Sequence, residues 1–151
     1  MQETMKEMQF SIEISAAKER VWNTLWQDET LREWASIIDP ETYMVGDLKE
    51  GNEVQFISAA SGYGVTSLVE KLVAGEFLLL RHRADTQDSG TRERENEWTG
   101  GEESYTLAEK DGTTTLTVAF GVPPELEEYF KVTYPKALER VKVLAERNRN
   151  V

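Results

Sequence analysis

The chain has 151 residues and a formal net charge of −11, with 28 acidic against 17 basic side chains, no cysteine and one histidine. The missing cysteine excludes disulfides, thiol catalysis and cysteine metal sites, and a lone histidine argues against zinc, which is normally held by several His or Cys ligands. The negative charge repels nucleic acid and an anionic membrane face alike, so neither is an expected partner, and its ordinary consequence is solubility.

A single domain over residues 1–151 is the simplest organisation for this length. The opening "MQETMKEMQF" carries no apolar h-region, and the longest plain apolar run, "FLLL" at 77–80, is far too short to span a bilayer. With no cysteine to oxidise, a reducing cytoplasmic location is expected, and no cofactor or metal is.

In chain order, "FSIEI" alternates Phe10, Ile12 and Ile14 with polar residues and predicts a strand. Ser15 is placed to cap a helix whose apolar stripe is Val21, Trp22, Leu25 and Trp26. Asp28 restarts the helical pattern as a second cap, Leu31, Trp34, Ala35 and Ile38 share one face, and Pro40 ends it. From Tyr43 to Val122 the period is two, broken by "GDLKEGN", "SGYG", "AGE" and "EKDGT", which predicts antiparallel strands. The polar stretch 85–97, "DTQDSGTRERENE", reads as a long exposed loop or a projecting strand end. A long helix starts near Pro124, with Leu126, Phe130, Tyr134, Ala137, Leu138, Val141, Leu144 and Ala145 at helical spacing, and Pro135 is expected to kink it near Lys131.

Register follows from loop length. A two-residue loop at Asp111-Gly112 sets Leu107 opposite Leu116, Tyr105 opposite Val118 and Glu103 opposite Phe120. The same rule at Ala74-Gly75 and Gly62-Tyr63 predicts three inner rows: Phe56/Val69/Leu80, then Ser58/Ser67/His82, then Ala60/Val65/Ala84. The first row is apolar, the second polar and the third small, a gradient that leaves room beneath a covering helix. Leu68, Leu72, Phe77 and Leu79 fall on the other face beside Glu70, Arg81 and Arg83, so that face is taken as outer.

An order of strand, two short helices, strand meander and long final helix is an α+β helix-grip arrangement: a curved antiparallel sheet wrapped around the C-terminal helix. Nearly the whole chain resembles the START-like (SRPBCC, birch-pollen-allergen-like) superfamily, closest to the branch named for heat-shock protein 90 ATPase activator homologues. The resemblance rests on "ISAAKERVW", "DETLREW", "GGEESYTLAEKDGTTTLTV" and "YPKALERVKVLAE". These motifs specify fold well and activity poorly. The resemblance implies an apolar small molecule between helix and sheet in most members, cyclase activity in some and action on chaperones in others. No cyclase signature carries over to this chain, and Ala17 stands where relatives often have proline.

Three of the four tryptophans lie between Arg20 and Trp34. Trp22 reads as core, whereas Trp26 and Trp34 lie beside the helix–helix turn, which in the resembled fold rims the cavity mouth. Trp98, after the charged stretch, either closes that mouth or anchors a strand start. His82 beside Ser58 and Ser67 reads first as a satisfied core histidine and second as a ligand hydrogen-bonding spot. A Ser–His hydrolase is disfavoured, since no acid falls in that row and no Gly-x-Ser-x-Gly occurs.

The expected function is therefore non-enzymatic binding of a hydrophobic, aromatic or lipid-like small molecule. Its walls are Phe56, Val65, Val69, Leu80, Tyr105, Val118 and Phe120, with space over Ala60. Phe130, Tyr134 and Leu138 form the lid, Trp26, Trp34 and Trp98 the rim, and His82, Ser58 and Ser67 supply polarity. The alternatives are a chaperone-interacting module and a cyclase-like enzyme.

Overall fold

The structure, a computed structural model, describes residues 6–93 and 101–147. Strand β1 (Lys6–Ile14) leads into α1 (Lys18–Trp26) and α2 (Asp28–Ala35). Strands β2 (Thr42–Val45), β3 (Glu53–Ser58), β4 (Gly64–Val73), β5 (Phe77–Gln87), β6 (Arg92–Glu93), β7 (Glu102–Lys110) and β8 (Thr113–Val122) follow. A 3-10 turn (Pro124–Leu126) then opens the long helix α3 (Glu127–Arg147). The sheet is antiparallel in the order β1-β8-β7-β5-β4-β3-β2, with β6 attached to β5. It curls around α3 as a half-barrel.

The core lies between the inner face of the sheet and the helices. From β1, Met8, Phe10, Ile12 and Ile14 point inward opposite Phe120, Val118, Leu116 and Thr114. α3 answers with Phe130, Tyr134, Ala137, Leu138, Val141, Leu144 and Ala145, all buried at three- and four-residue intervals. Pro123 and Pro124 stand at its entrance as expected, and α3 continues as one element past Pro135, which is exposed.

Both short helices start without the side-chain caps expected of Ser15 and Asp28. The N-cap of α1 is Ala17, and the Lys18 N–H donates instead to Glu109 Oε1 of β7, 2.9 Å away, so a distant carboxylate satisfies the first turn. The N-cap of α2 is Gln27; Asp28 is the first helical residue, and both its carboxylate oxygens accept from Arg32 Nε at 2.9 Å. α2 ends at Ala35, before Pro40, and Ser36 closes it by donating to the Arg32 carbonyl through both its N–H and its hydroxyl.

The β7–β8 register is the expected one, with Leu107, Tyr105 and Glu103 opposite Leu116, Val118 and Phe120. Both residues of its loop have positive φ, 52° at Asp111 and 80° at Gly112, as a tight two-residue hairpin turn requires. The β3–β4 register differs from expectation. Its loop spans four residues, Ala59 to Gly62, closed by Ser58 N to Tyr63 O at 2.8 Å and Gly62 N to Ser58 O at 2.7 Å. Phe56 therefore faces Val65, not Val69, and Val54 faces Ser67. The displacement is even, so Phe56 keeps the expected face, but Ala60 leaves the sheet for an exposed turn.

Two irregularities shape β4 and β5. Their loop has three residues, Ala74 to Glu76, and an extra residue at Glu70 restores the expected Val69–Leu80 and Ser67–His82 pairs. It also turns Leu72 inward, opposite Leu78, correcting its assignment to the outer face. A second extra residue, Arg83, sets Asp85 rather than Ala84 opposite Val65. Of the two readings of the polar stretch from 85, the strand end holds for its first part: β5 runs on to Gln87 and the chain returns through β6, although Asp85 and Thr86 are buried and not exposed. The remainder of that segment, 94–97, and Trp98 lie outside the described residues.

Candidate functional site: an aromatic cavity under the long helix

A cavity of about 450 Å³ lies between the inner face of the sheet, α2 with the loop after it, and the first turns of α3. Each wall has a local cause. The apolar stripe of α2 brings Leu31, Trp34 and Ala35, and the Trp34 indole N–H donates to the Leu25 carbonyl at 3.0 Å, which pins α2 across the end of α1. The sheet supplies Phe56, Val65, Tyr105 and Phe120, and α3 supplies Phe130 and Tyr134. The rings interlock: Phe120 lies 4.5 Å from Tyr134 and 5.7 Å from Phe130, centroid to centroid. At the mouth, Tyr129 and Tyr63 are nearly half exposed, and the Tyr129 hydroxyl donates to the Ile38 carbonyl across the opening.

The polar groups concentrate on β5 and β7. Ser67 Oγ and His82 Nδ1 are 2.9 Å apart, and His82 Nε2 lies 3.8 Å from Glu103 Oε1. The Tyr105 hydroxyl donates to Glu103 Oε2. Burial holds the His82 imidazole below its ordinary pKa, with Glu103 opposing, so the ring is neutral at pH 7. Burial first, and then the Glu103 carboxylate, pushes the Tyr105 and Tyr134 phenols well above theirs. Ser58 Oγ donates to the Pro40 carbonyl at 2.6 Å and ties β3 to the loop after α2.

Of the expected site residues, Trp34, Phe56, Ser58, Val65, His82, Tyr105, Phe120, Phe130 and Tyr134 line this cavity. Trp26, Val69, Leu80, Val118 and Leu138 are buried in the core behind it, and Ser67 sits beneath His82. Trp26 packs edge-on against Tyr105 at 4.8 Å and Trp34 at 6.3 Å, and so supports the wall from outside. Ala60 is away from the cavity, in the exposed turn.

Sequence reasoning passed over Asp39, Asp85 and Glu103, all of which line the cavity. The signal for Glu103 was present: its register opposite Phe120 sets an acid on an otherwise apolar face. Asp85 had no such signal, because the extra residue at Arg83 carries it inward. Ser67, His82 and Glu103 lie in sequence without forming a nucleophilic triad. Ser67 is fully buried, outside the cavity lining, and the 3.8 Å between Nε2 and Oε1 exceeds hydrogen-bond range.

No family model matches the sequence, and no curated protein matches it. Solved structures do. Protein MLL2253 from Mesorhizobium loti is 16% identical with a TM-score of 0.72, over 95% of this chain and 98% of that one. The Aha1 dimer from Colwellia psychrerythraea is 19% identical, with a TM-score of 0.68 over 94% and 97%. CalU16 from Micromonospora echinospora is 15% identical, with a TM-score of 0.63 over 93% and 76%. The chain has the START-like helix-grip fold. At these identities the likeness is one of fold. In helix-grip terms, the cavity lies between the gripped helix and the concave face of the sheet. Among the described residues no helix is long and apolar enough to cross a membrane.

Proposed function

We propose that this protein binds an apolar, ring-bearing small molecule in the cavity between sheet and α3. The observation that carries this reading is the cavity itself: about 450 Å³ walled by Trp34, Phe56, Tyr105, Phe120, Phe130 and Tyr134, with a few polar groups on its lining, Ser58, His82 and Glu103 among them. Small-molecule sites commonly combine a mostly apolar concavity of roughly 300–1,000 Å³ with a few polar groups that orient the ligand. The neutral imidazole and Glu103 are suited to hydrogen-bond a ligand hydroxyl, carbonyl or amine. Ser67, enclosed beneath His82, acts here as support and not as a nucleophile.

A cytoplasmic setting and a one-domain organisation accompany this proposal. A chaperone partner has weaker support, namely the shared fold with the Aha1 structure, and no feature of the cavity calls for one.

Native mass spectrometry of the purified protein tests the proposal, followed by titration of aromatic and lipid-like compounds against tryptophan fluorescence. Trp34 lines the cavity, so an occupant changes its surroundings and its emission. A bound small molecule, or saturable quenching that weakens when the cavity is filled by substitution, supports the reading. A protein that carries no ligand and responds to no compound overturns it.

A further inference from the structure

Among the described residues, the charged lining of the cavity has one sign. Asp39, Asp85 and Glu103 contribute carboxyl groups, and none of the described lining residues is lysine or arginine. Elsewhere, Arg81 holds both Glu70 and Glu102, Lys18 holds Glu76, and Arg140 holds Glu33. Glu103 differs from these. It accepts from the neutral Tyr105 hydroxyl and faces a His82 ring that burial keeps uncharged, so a negative group stands among aromatic walls with no cationic side chain of the described residues paired to it.

Such a lining discriminates by charge. An anionic ligand would lose its hydration and meet carboxylates, whereas an ammonium group would exchange water for a charge-assisted hydrogen bond. Trp34, Phe120 and Tyr134 line the same cavity, and aromatic rings attract cations over their faces. The chain's charge of −11 draws cations toward it from a distance.

We propose that the cavity selects cationic ligands: an apolar molecule bearing a protonated amine, with the ammonium held at Glu103 and the apolar body against Trp34, Phe120 and Phe130. This inference rests on the cavity being a small-molecule site, and it names the class of ligand.

The test is a matched series on one scaffold, anthracenylmethylamine, anthracenemethanol and anthracenecarboxylate, titrated at neutral pH by calorimetry. The amine is expected to bind about tenfold tighter than the alcohol, with the carboxylate weakest. In Glu103→Gln, which keeps an acceptor for Tyr105, the amine should fall to within about twofold of the alcohol measured on the same variant. Equal binding of amine and alcohol by the unaltered protein overturns charge selection and leaves the cavity reading intact. A preference that survives Glu103→Gln overturns the assignment to Glu103. If no member of the series binds, the cavity reading falls and this inference with it. The unaltered protein decides the first outcome even if the variant fails to fold.

Discussion

Ser67 Oγ and His82 Nδ1 meet at 2.9 Å between β4 and β5, and both side chains are buried. Each is the other's register partner, so the contact is built into strand pairing. Ser67→Ala leaves a buried ring nitrogen without its hydrogen bond, which should cost about 1–3 kcal/mol. A denaturant midpoint that falls with an unchanged slope is the expected result.

His82 also makes stability depend on pH. Burial lowers its pKa in the folded protein, while the unfolded chain takes up the proton near about pH 6.5. Below that value the unfolded state binds more protons, so stability is full above it and falls as pH drops toward the lower folded value. His82→Gln removes this dependence. Between about pH 7.5 and pH 5.5 the melting temperature of the unaltered protein should fall more steeply than that of the variant, and parallel curves would exclude this role.

Gly64 begins β4 where backbone passes backbone. A Cβ there would lie 2.1 Å from the Phe56 carbonyl oxygen and 2.8 Å from Ile57 Cα, and neither can rotate away. Gly64→Ala should therefore separate β3 from β4 and destabilise by about 2 kcal/mol or more, measured by chemical denaturation. It should also weaken ligand binding, because Gly64 itself borders the cavity.

Filling the cavity should separate its emptiness from its composition. Val65 lines it, whereas Ala60 is exposed in the β3–β4 turn. Val65→Phe should block any ligand at a cost below the roughly 1–3 kcal/mol of overpacking a filled core. Ala60→Phe should leave binding intact. Calorimetric titration of both variants checks this, and the reverse result would mean the occupied space lies elsewhere.

The sheet needs α3, whose buried residues from Phe130 to Ala145 face the inner surface. A chain ending at Val122 would expose that surface to water and should be insoluble, or retain far-ultraviolet circular dichroism without cooperative unfolding.

The sequence by itself determined the element order, the buried stripe of α3 and the β7–β8 register, because each depends on neighbours in the chain. Hydrophobic period sets helix or strand locally, and Asp111-Gly112 encodes the length of its own loop. It brought Ser67 to His82 as well, although by way of two compensating features, a longer loop and the extra residue at Glu70. Where loop length was not encoded locally, as between Ser58 and Tyr63, the inner rows shifted and Ala60 moved out to the turn. Only the tertiary structure decided that Arg83 would carry Asp85 inward, that Glu109 would serve the start of α1, and how large a cavity the packing would leave on the inner face. An irregular residue in a strand reflects the fit of that strand to the curved sheet, and a cavity reflects the packing left between elements far apart in sequence, so neither is written in any short stretch of the chain.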